Sequence, residues 1–232
     1  LKMEKSLIVR LTENIGGWLT DAEAEFLYNA AKDGPGEGVI VEIGSWKGKS
    51  TVCLAKGSKD AKREKVYAID PHLGETELVK QTDTFSEFKA NIKATNVEDY
   101  VIPMKMKSEE AARKWEKKIR LLWIDGAHDY ENVLKDFNLW EKHLVKGGII
   151  SFHDTLNFPG PKKVVREKIF YSDRFSQVGL IDNLVYAAKL PMLKSYDHLQ
   201  KMKVHTLKRL ICLGKRLPSP LRKVGKIILR KK

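Results

Sequence analysis

Short apolar, β-branched runs alternate along the chain with longer stretches whose apolar residues recur three and four positions apart. This alternation predicts strands at 39–43, 65–69, 100–106, 120–124 and 148–153, with helices at 48–57, about 84–95, 109–118 and 130–144 between them. Strands separated by helical segments of that length indicate βαβ units and a parallel sheet. Within 130–144, Val133, Phe137, Trp140 and Leu144 form an apolar stripe for that sheet, which places Trp140 in the core. An earlier helix is expected over 20–32, opened by Thr20 and Asp21, with Glu23 completing a capping box, and closed by the GPGEG punctuation at 34–38. After the turn-rich TLNFPGPKK come a short helix near 161–170 and two strand-like runs, 174–181 and 183–190, that can pair as an antiparallel hairpin at the sheet edge.

The pattern changes beyond residue 190. Leu199, Met202, Leu207, Leu210, Ile211 and Leu217 fall broadly on one side of a helix whose other side is Lys and Arg. A break at Pro218–Pro220 precedes the basic-apolar segment LRKVGKIILRKK. The division is therefore a domain at 1–190 and a basic amphipathic helical tail at 191–232.

Charge supports the same division. Of 43 Lys and Arg in the chain, 13 lie in 191–232 beside a single acid, Asp197, so the net charge of +13 belongs almost wholly to the tail. The body is electrically ordinary, and a pI near 9.5 is no argument that it binds nucleic acid. No stretch approaches the roughly eighteen apolar residues of a membrane span. The first residues lack the apolar core and cleavage site of a secretory signal, which points to the cytoplasm. Cys53 and Cys212 match no metal or redox spacing and read as reduced thiols.

Three stretches carry chemistry: VEIGSWKGKST at 41–51, VYAID at 66–70 and WIDGAHDY at 123–130, with IISFHD at 149–154 ending in the same manner. Each sits at or just beyond a strand end, the edge where open α/β sheets bind ligands. Glu42, Asp70, Asp125, His128, His153 and Asp154 are thereby expected on one rim. The first turn, Glu42-x-Gly44-x-x-x-Gly48-x-Ser50, matches neither a P-loop nor the G-x-G-x-x-G dinucleotide turn, which disfavours phosphate cradling. Gly44 and Gly48 would let backbone approach a ligand, while Glu42 would bring a negative charge suited to a cationic one. Asp70 ends the second strand, where an acid can hydrogen-bond the ribose hydroxyls of an adenosine cofactor.

Together E-I-G-S-W-K-G-K-S-T, the Asp70 strand end, I-D-G-A-H-D-Y-x-x-V-x-x-D and G-G-I-I-S-F-H-D resemble the class I S-adenosylmethionine-dependent methyltransferases. The subgroup is methyltransferase family 24, similar to the metal-dependent O-methyltransferases. The resemblance covers about 16–155, weakens through 156–190 and fails for the tail. It implies a Rossmann-like, doubly wound, mostly parallel seven-stranded sheet with an antiparallel last strand, and S-adenosylmethionine as cofactor. It also implies that Glu42, Gly44 and Gly48, with Ser45 and Ser50 in the same turn, surround the methionine part, that Asp70 holds the ribose, and that Ser108 lies near the adenine. Asp125 counts among both the cofactor contacts and the catalytic residues.

In the metal-dependent relatives, Asp125 and Asp154 would correspond to ligands of Mg²⁺ or another divalent ion, which prefers hard oxygen ligands and lowers the pKa of a substrate hydroxyl. His128 falls where such enzymes keep a general base. The neighbours of Asp154 are His153 and Thr155, so His153 is a further candidate ligand, and a metal-free site with His128 as base and His153 as orienter stays open. His72 is expected in a loop, and His143, His198 and His205 at the surface. The function implied is O-methylation of a small-molecule, sugar or glycan hydroxyl. The alternatives are an RNA methyltransferase, supported only by the basic tail, and a cofactor-binding module without catalysis. An anionic membrane surface is the partner expected for the tail, and self-association is left open.

Overall fold

The computed structural model of the chain describes residues 5–73, 84–190 and 195–216. The pattern-derived strands form one seven-stranded sheet: β1 (Val39–Ile43), β2 (Val66–Ile69), β3 (Val101–Met104), β4 (Ile119–Ile124), β5 (Leu144–Phe152), β6 (Phe175–Ile181) and β7 (Leu184–Lys189). Their order is β3-β2-β1-β4-β5-β7-β6. The pairs from β3 across to β5 are parallel, whereas β7 runs antiparallel to both β5 and β6. This is the Rossmann-like methyltransferase arrangement, and its strand order reverses between β1 and β4, where a crevice opens.

Because both sheet faces are covered, the central strands carry continuous apolar runs, and β4 is buried at every position. One face packs against α1 (Leu7–Thr12), α2 (Asp21–Asp33), α3 (Lys49–Asp60) and α4 (Phe85–Ala94). The other packs against α5 (Ser108–Ala112), α6 (Tyr130–Trp140) and α7 (Pro159–Val165), with Trp140 fully buried as its stripe required. Arg120 on β4 is also buried. It pairs with Glu64 and donates to the Ala30 and Ala31 carbonyls, so a cation closes the negative end of α2.

Several boundaries differ from expectation. The predicted helix 109–118 stops at Ala112, because Trp115 turns inward to meet Tyr67 and Trp140 and its indole N–H donates to the Lys117 carbonyl at 2.8 Å. The helix expected to reach 144 ends at Trp140, and β5 begins at Leu144, since one turn at 141–143 suffices to reverse the chain. Helix α1 carries Ile8, Val9 and Thr12 inward, a signal too short to read as a helix. His72, expected in a loop, is indeed in one but is buried between Phe85 and Phe88, with its ring 3.0 Å from the Thr84 hydroxyl.

The hairpin forms as expected, turning at Asp182 and Asn183. The tail contributes α8 (Ser195–Arg216), which lies along β6 and the 166–170 turn. Leu217, the Pro218–Pro220 break and the segment after it lie outside the described residues, as does the side chain of His198. His143 and His205 are half-buried rather than fully at the surface. No described helix is long and apolar enough to cross a membrane.

Candidate active site

Parallel register brings four strand ends to one level. Ile43 pairs with Ile69 on one side and with Ile124 on the other, and Ile124 pairs with Phe152. The ladder continues one residue further, with Gly44 N donating to the Ile69 carbonyl, Asp125 N to Ile43 and His153 N to Ile124. Gly44, Asp70, Asp125 and His153 with Asp154 are thus the first residues past β1, β2, β4 and β5. All five line one cleft of about 450 Å³.

Asp70 shapes the turn after β1. Its Oδ2 accepts the Ser45 and Trp46 main-chain N–H groups at 2.9 and 2.8 Å, and its Oδ1 accepts the His72 N–H at 2.6 Å. The turn's geometry needs its glycines for internal reasons. Gly44 has φ of +86°, and a Cβ there would meet the Asp125 carbonyl oxygen at 2.2 Å, while a Cβ on Gly48 would press on the Phe88 ring at 3.1 Å. Both missing side chains therefore face protein, not ligand, although the two loops they bring together form the cleft floor.

Glu42 lies beneath the cleft wall, fully buried, where the Ser50 and Thr51 hydroxyls each donate to it at 2.5 Å. Burial pushes its carboxyl up to about 8, ahead of the opposing effect of the two hydroxyls. The negative charge expected from the sequence is thus largely withheld at neutral pH. An unfolded glutamate ionises near 4.5, so the folded state holds the extra proton between about 4.5 and 8, and stability should fall as pH rises through that window. Glu42→Gln should flatten this dependence, whose slope from one group is at most about 1.4 kcal/mol per pH unit. Urea unfolding at pH 5 and 7.5 would check it, and parallel profiles for both proteins would contradict the assignment.

Ser45 and Ser108 also line the cleft. Ser108 Oγ accepts the Trp140 indole N–H at 2.7 Å and stands beside Asp136, whose carboxyl burial pushes up to about 6. Asp136, the last residue of the I-D-G-A-H-D-Y-x-x-V-x-x-D motif, and Asn132, one helical turn apart on α6, share this wall, and only Asn132 fell on an unspecified position of the motif. At the mouth, exposed Trp18 stacks on Trp46 with ring centroids 4.6 Å apart.

On the β4 and β5 side, ligand atoms of Asp125, His128 and Asp154 lie within 4.8 Å of one another. His128 Nε2 is 2.9 Å from Asp154 Oδ2, and Phe158 stacks on the His128 ring at 4.0 Å. That bond to Asp154 holds the His128 imidazole above its ordinary value despite partial burial. Asp154 itself adopts φ of +55° and accepts the Asn183 side-chain N–H at 2.6 Å. Burial opposes its charge, but His128 and His153 outweigh it and hold the carboxyl far below the usual carboxylate range.

His153 is placed differently from a metal ligand. Its Nδ1 is 3.2 Å from Asp125 and 3.5 Å from Asp154, and its Nε2 is 3.3 Å from Glu23, at the start of α2. Although burial opposes protonation, these acids favour the cationic imidazole, and His153 stands outside the group of mutually close ligand atoms formed by Asp125, His128 and Asp154. The two carboxylates of Asp125 and Asp154 with the His128 ring beside them form a donor set that fits a divalent cation. Glu23 also accepts the Asn183 main-chain N–H at 2.8 Å. Its role at the rim and that of Asn183 were not foreseen, since 130 residues separate Glu23 from His153 and 160 separate it from Asn183.

Residues 41–155 match the model of a family described as a methyltransferase domain. Over 120 residues the chain is 32% identical to an uncharacterized protein of Acanthamoeba polyphaga mimivirus, covering 49% of this chain and 50% of that one. The chain therefore spans about half the length of the curated relative it matches. The fold is similar to that of an O-methyltransferase from Bacillus cereus in complex with S-adenosylhomocysteine, with TM-score 0.57 and 17% identity over 82% of this chain and 94% of that one. It is also similar to an rRNA methylase from Streptococcus thermophilus, with TM-score 0.50 and 18% identity over 72% and 93% of the two chains. At such identities the likeness shows the fold alone.

Proposed function

Since the chain belongs to the class I S-adenosylmethionine-dependent methyltransferases of family 24, we propose that it methylates a hydroxyl of a small molecule, sugar or glycan with the help of a divalent ion. The observation that carries this reading is the pairing, within one cleft, of an Asp70-anchored turn at one end with the Asp125, His128 and Asp154 group at the other. S-adenosylmethionine, when bound, supplies an electrophilic methyl group on a sulfonium, and Asp125 and Asp154 would hold an ion that acidifies the acceptor hydroxyl.

The remaining work falls to the chain. Asp70 would orient the ribose while fixing the loop beside it, and the cleft walls would set the in-line approach that displacement at the methyl carbon requires. As the acceptor oxygen takes the methyl group that the bound sulfonium would supply, His128 would receive the hydroxyl proton. With Nε2 turned to Asp154, Nδ1 is the nitrogen that takes the proton, and the Phe158 stack fixes the ring plane. His153 and Glu23 hold the Asp125 side in place without exchanging protons in the step.

The test has two arms. Either S-adenosylmethionine or S-adenosylhomocysteine at 100 times its dissociation constant should raise stability by about 2.7 kcal/mol, and a calorimetric melt unmoved by both would refute the cofactor assignment. Transfer of a labelled methyl group to a panel of hydroxylic acceptors should stop on exhaustive chelation and return with Mg²⁺, whereas undiminished transfer would remove the metal from the scheme. A sharper check on the cofactor is Asp70→Asn. Loss of a charged hydrogen-bond acceptor should weaken S-adenosylhomocysteine binding by about 10- to 100-fold in titration calorimetry. An unchanged affinity would leave Asp70 with only its loop-holding role.

A further inference from the structure

We propose that α8 docks the chain on an anionic lipid bilayer through its solvent-facing side. The helix is set with its polarity reversed. Lys201 and Lys208 face the domain and are 3% exposed, while Leu199, Met202 and Leu210 face water at 60%, 66% and 59%. A soluble amphipathic helix buries its apolar stripe and wets its lysines.

The inward face is already engaged. Lys201 donates to the Ser172 carbonyl, the His205 ring lies tilted against Phe170 with centroids 4.9 Å apart, Lys208 sits 5.6 Å over the same ring, and Lys162 donates to Cys212 Sγ at 3.1 Å. In this seating the domain cannot cover the outer stripe. Tyr171, 69% exposed, extends the apolar area beside Met202, and exposed Lys203 and Arg209 flank it.

The charge of the tail selects the occupant. With 13 basic residues and one acid in 191–232, two copies brought face to face would repel. Nucleic acid would satisfy the charge but would leave the Leu199, Met202 and Leu210 side chains in water. An anionic bilayer satisfies both, taking the apolar side chains below the headgroups and the cations among them.

Sedimentation of the full chain with vesicles tests this directly. Binding is expected with phosphatidylglycerol–phosphatidylcholine vesicles at low salt and not with phosphatidylcholine alone. A Met202→Ser, Leu210→Ser variant, altered only at exposed positions and checked for an unchanged melt, should bind about tenfold more weakly or worse. No binding to anionic vesicles, or equal binding by the variant, would overturn the proposal. So would a dimer, seen by light scattering, that the variant dissolves, or retention on RNA by a chain that ignores vesicles.

Discussion

His128→Ala should lower the rate of methyl transfer by about 10²- to 10⁴-fold, the range typical of a lost general base, while S-adenosylhomocysteine affinity stays within about twofold. The split follows from position. His128 touches Asp154 and Phe158 at the β4–β5 side of the cleft, whereas the turn held by Asp70 lies across it after β1 and β2. Its ring is part-exposed to the cleft, so truncation opens space without leaving a buried charge unpaired, and the fold should tolerate it. Single-turnover transfer of a labelled methyl group, alongside titration calorimetry with S-adenosylhomocysteine, separates the two effects. Equal losses in rate and affinity would make His128 a binding residue, and an unchanged rate would assign the proton to another group.

Gly44→Ala should cost more than about 3 kcal/mol of stability and deform the cleft. The added carbon would sit 2.2 Å from the Asp125 carbonyl oxygen and 2.6 Å from its carbon, and both belong to backbone that cannot rotate away. The positive φ adds about 1–2 kcal/mol for any non-glycine residue. Gly147 isolates that second cost, because its φ is +80° with nothing within 4 Å of the added carbon. Denaturant midpoints for Gly44→Ala and Gly147→Ala should therefore differ widely. If the two variants are equally mild, the loops after β1 and β4 are less tightly joined than described.

The strand ends were legible because burial on both sheet faces writes β-branched runs into the sequence, and a charged residue marks where each run leaves the core. Asp70, Asp125 and Asp154 could be placed on one rim from that alone. The contacts that decide their chemistry could not. Whether His153 is a ligand or a fixed cation depends on Glu23, which reads as an ordinary capping-box residue, and it is one, accepting the Thr20 N–H at 3.0 Å. Gly44 and Gly48 read as room for a ligand, yet the demand for glycine comes from Asp125 and Phe88, neighbours that only the tertiary fold supplies. The tail's periodicity revealed two faces without revealing which one the domain would take, since a cation over Phe170 and a carbonyl at Ser172 can hold lysines that composition alone would send to water.

Glu23 carries a consequence for where the molecule can be cut. It joins α2, the end of β5 and the β6–β7 turn through Thr20, His153 and Asn183, and Asn183 in turn holds Asp154. Two of the groups that set the rim's electrostatics thus lie outside 41–155, one before it and one after. That segment is not a transplantable module: excised or fused to another protein, it would carry Asp70, Asp125 and Asp154 but leave His153 and Asp154 without their outer partners. During synthesis the same dependence delays assembly of the rim until the ribosome has released the hairpin turn at Asn183, so a nascent chain stalled before that point would have its sheet core but an unfinished rim.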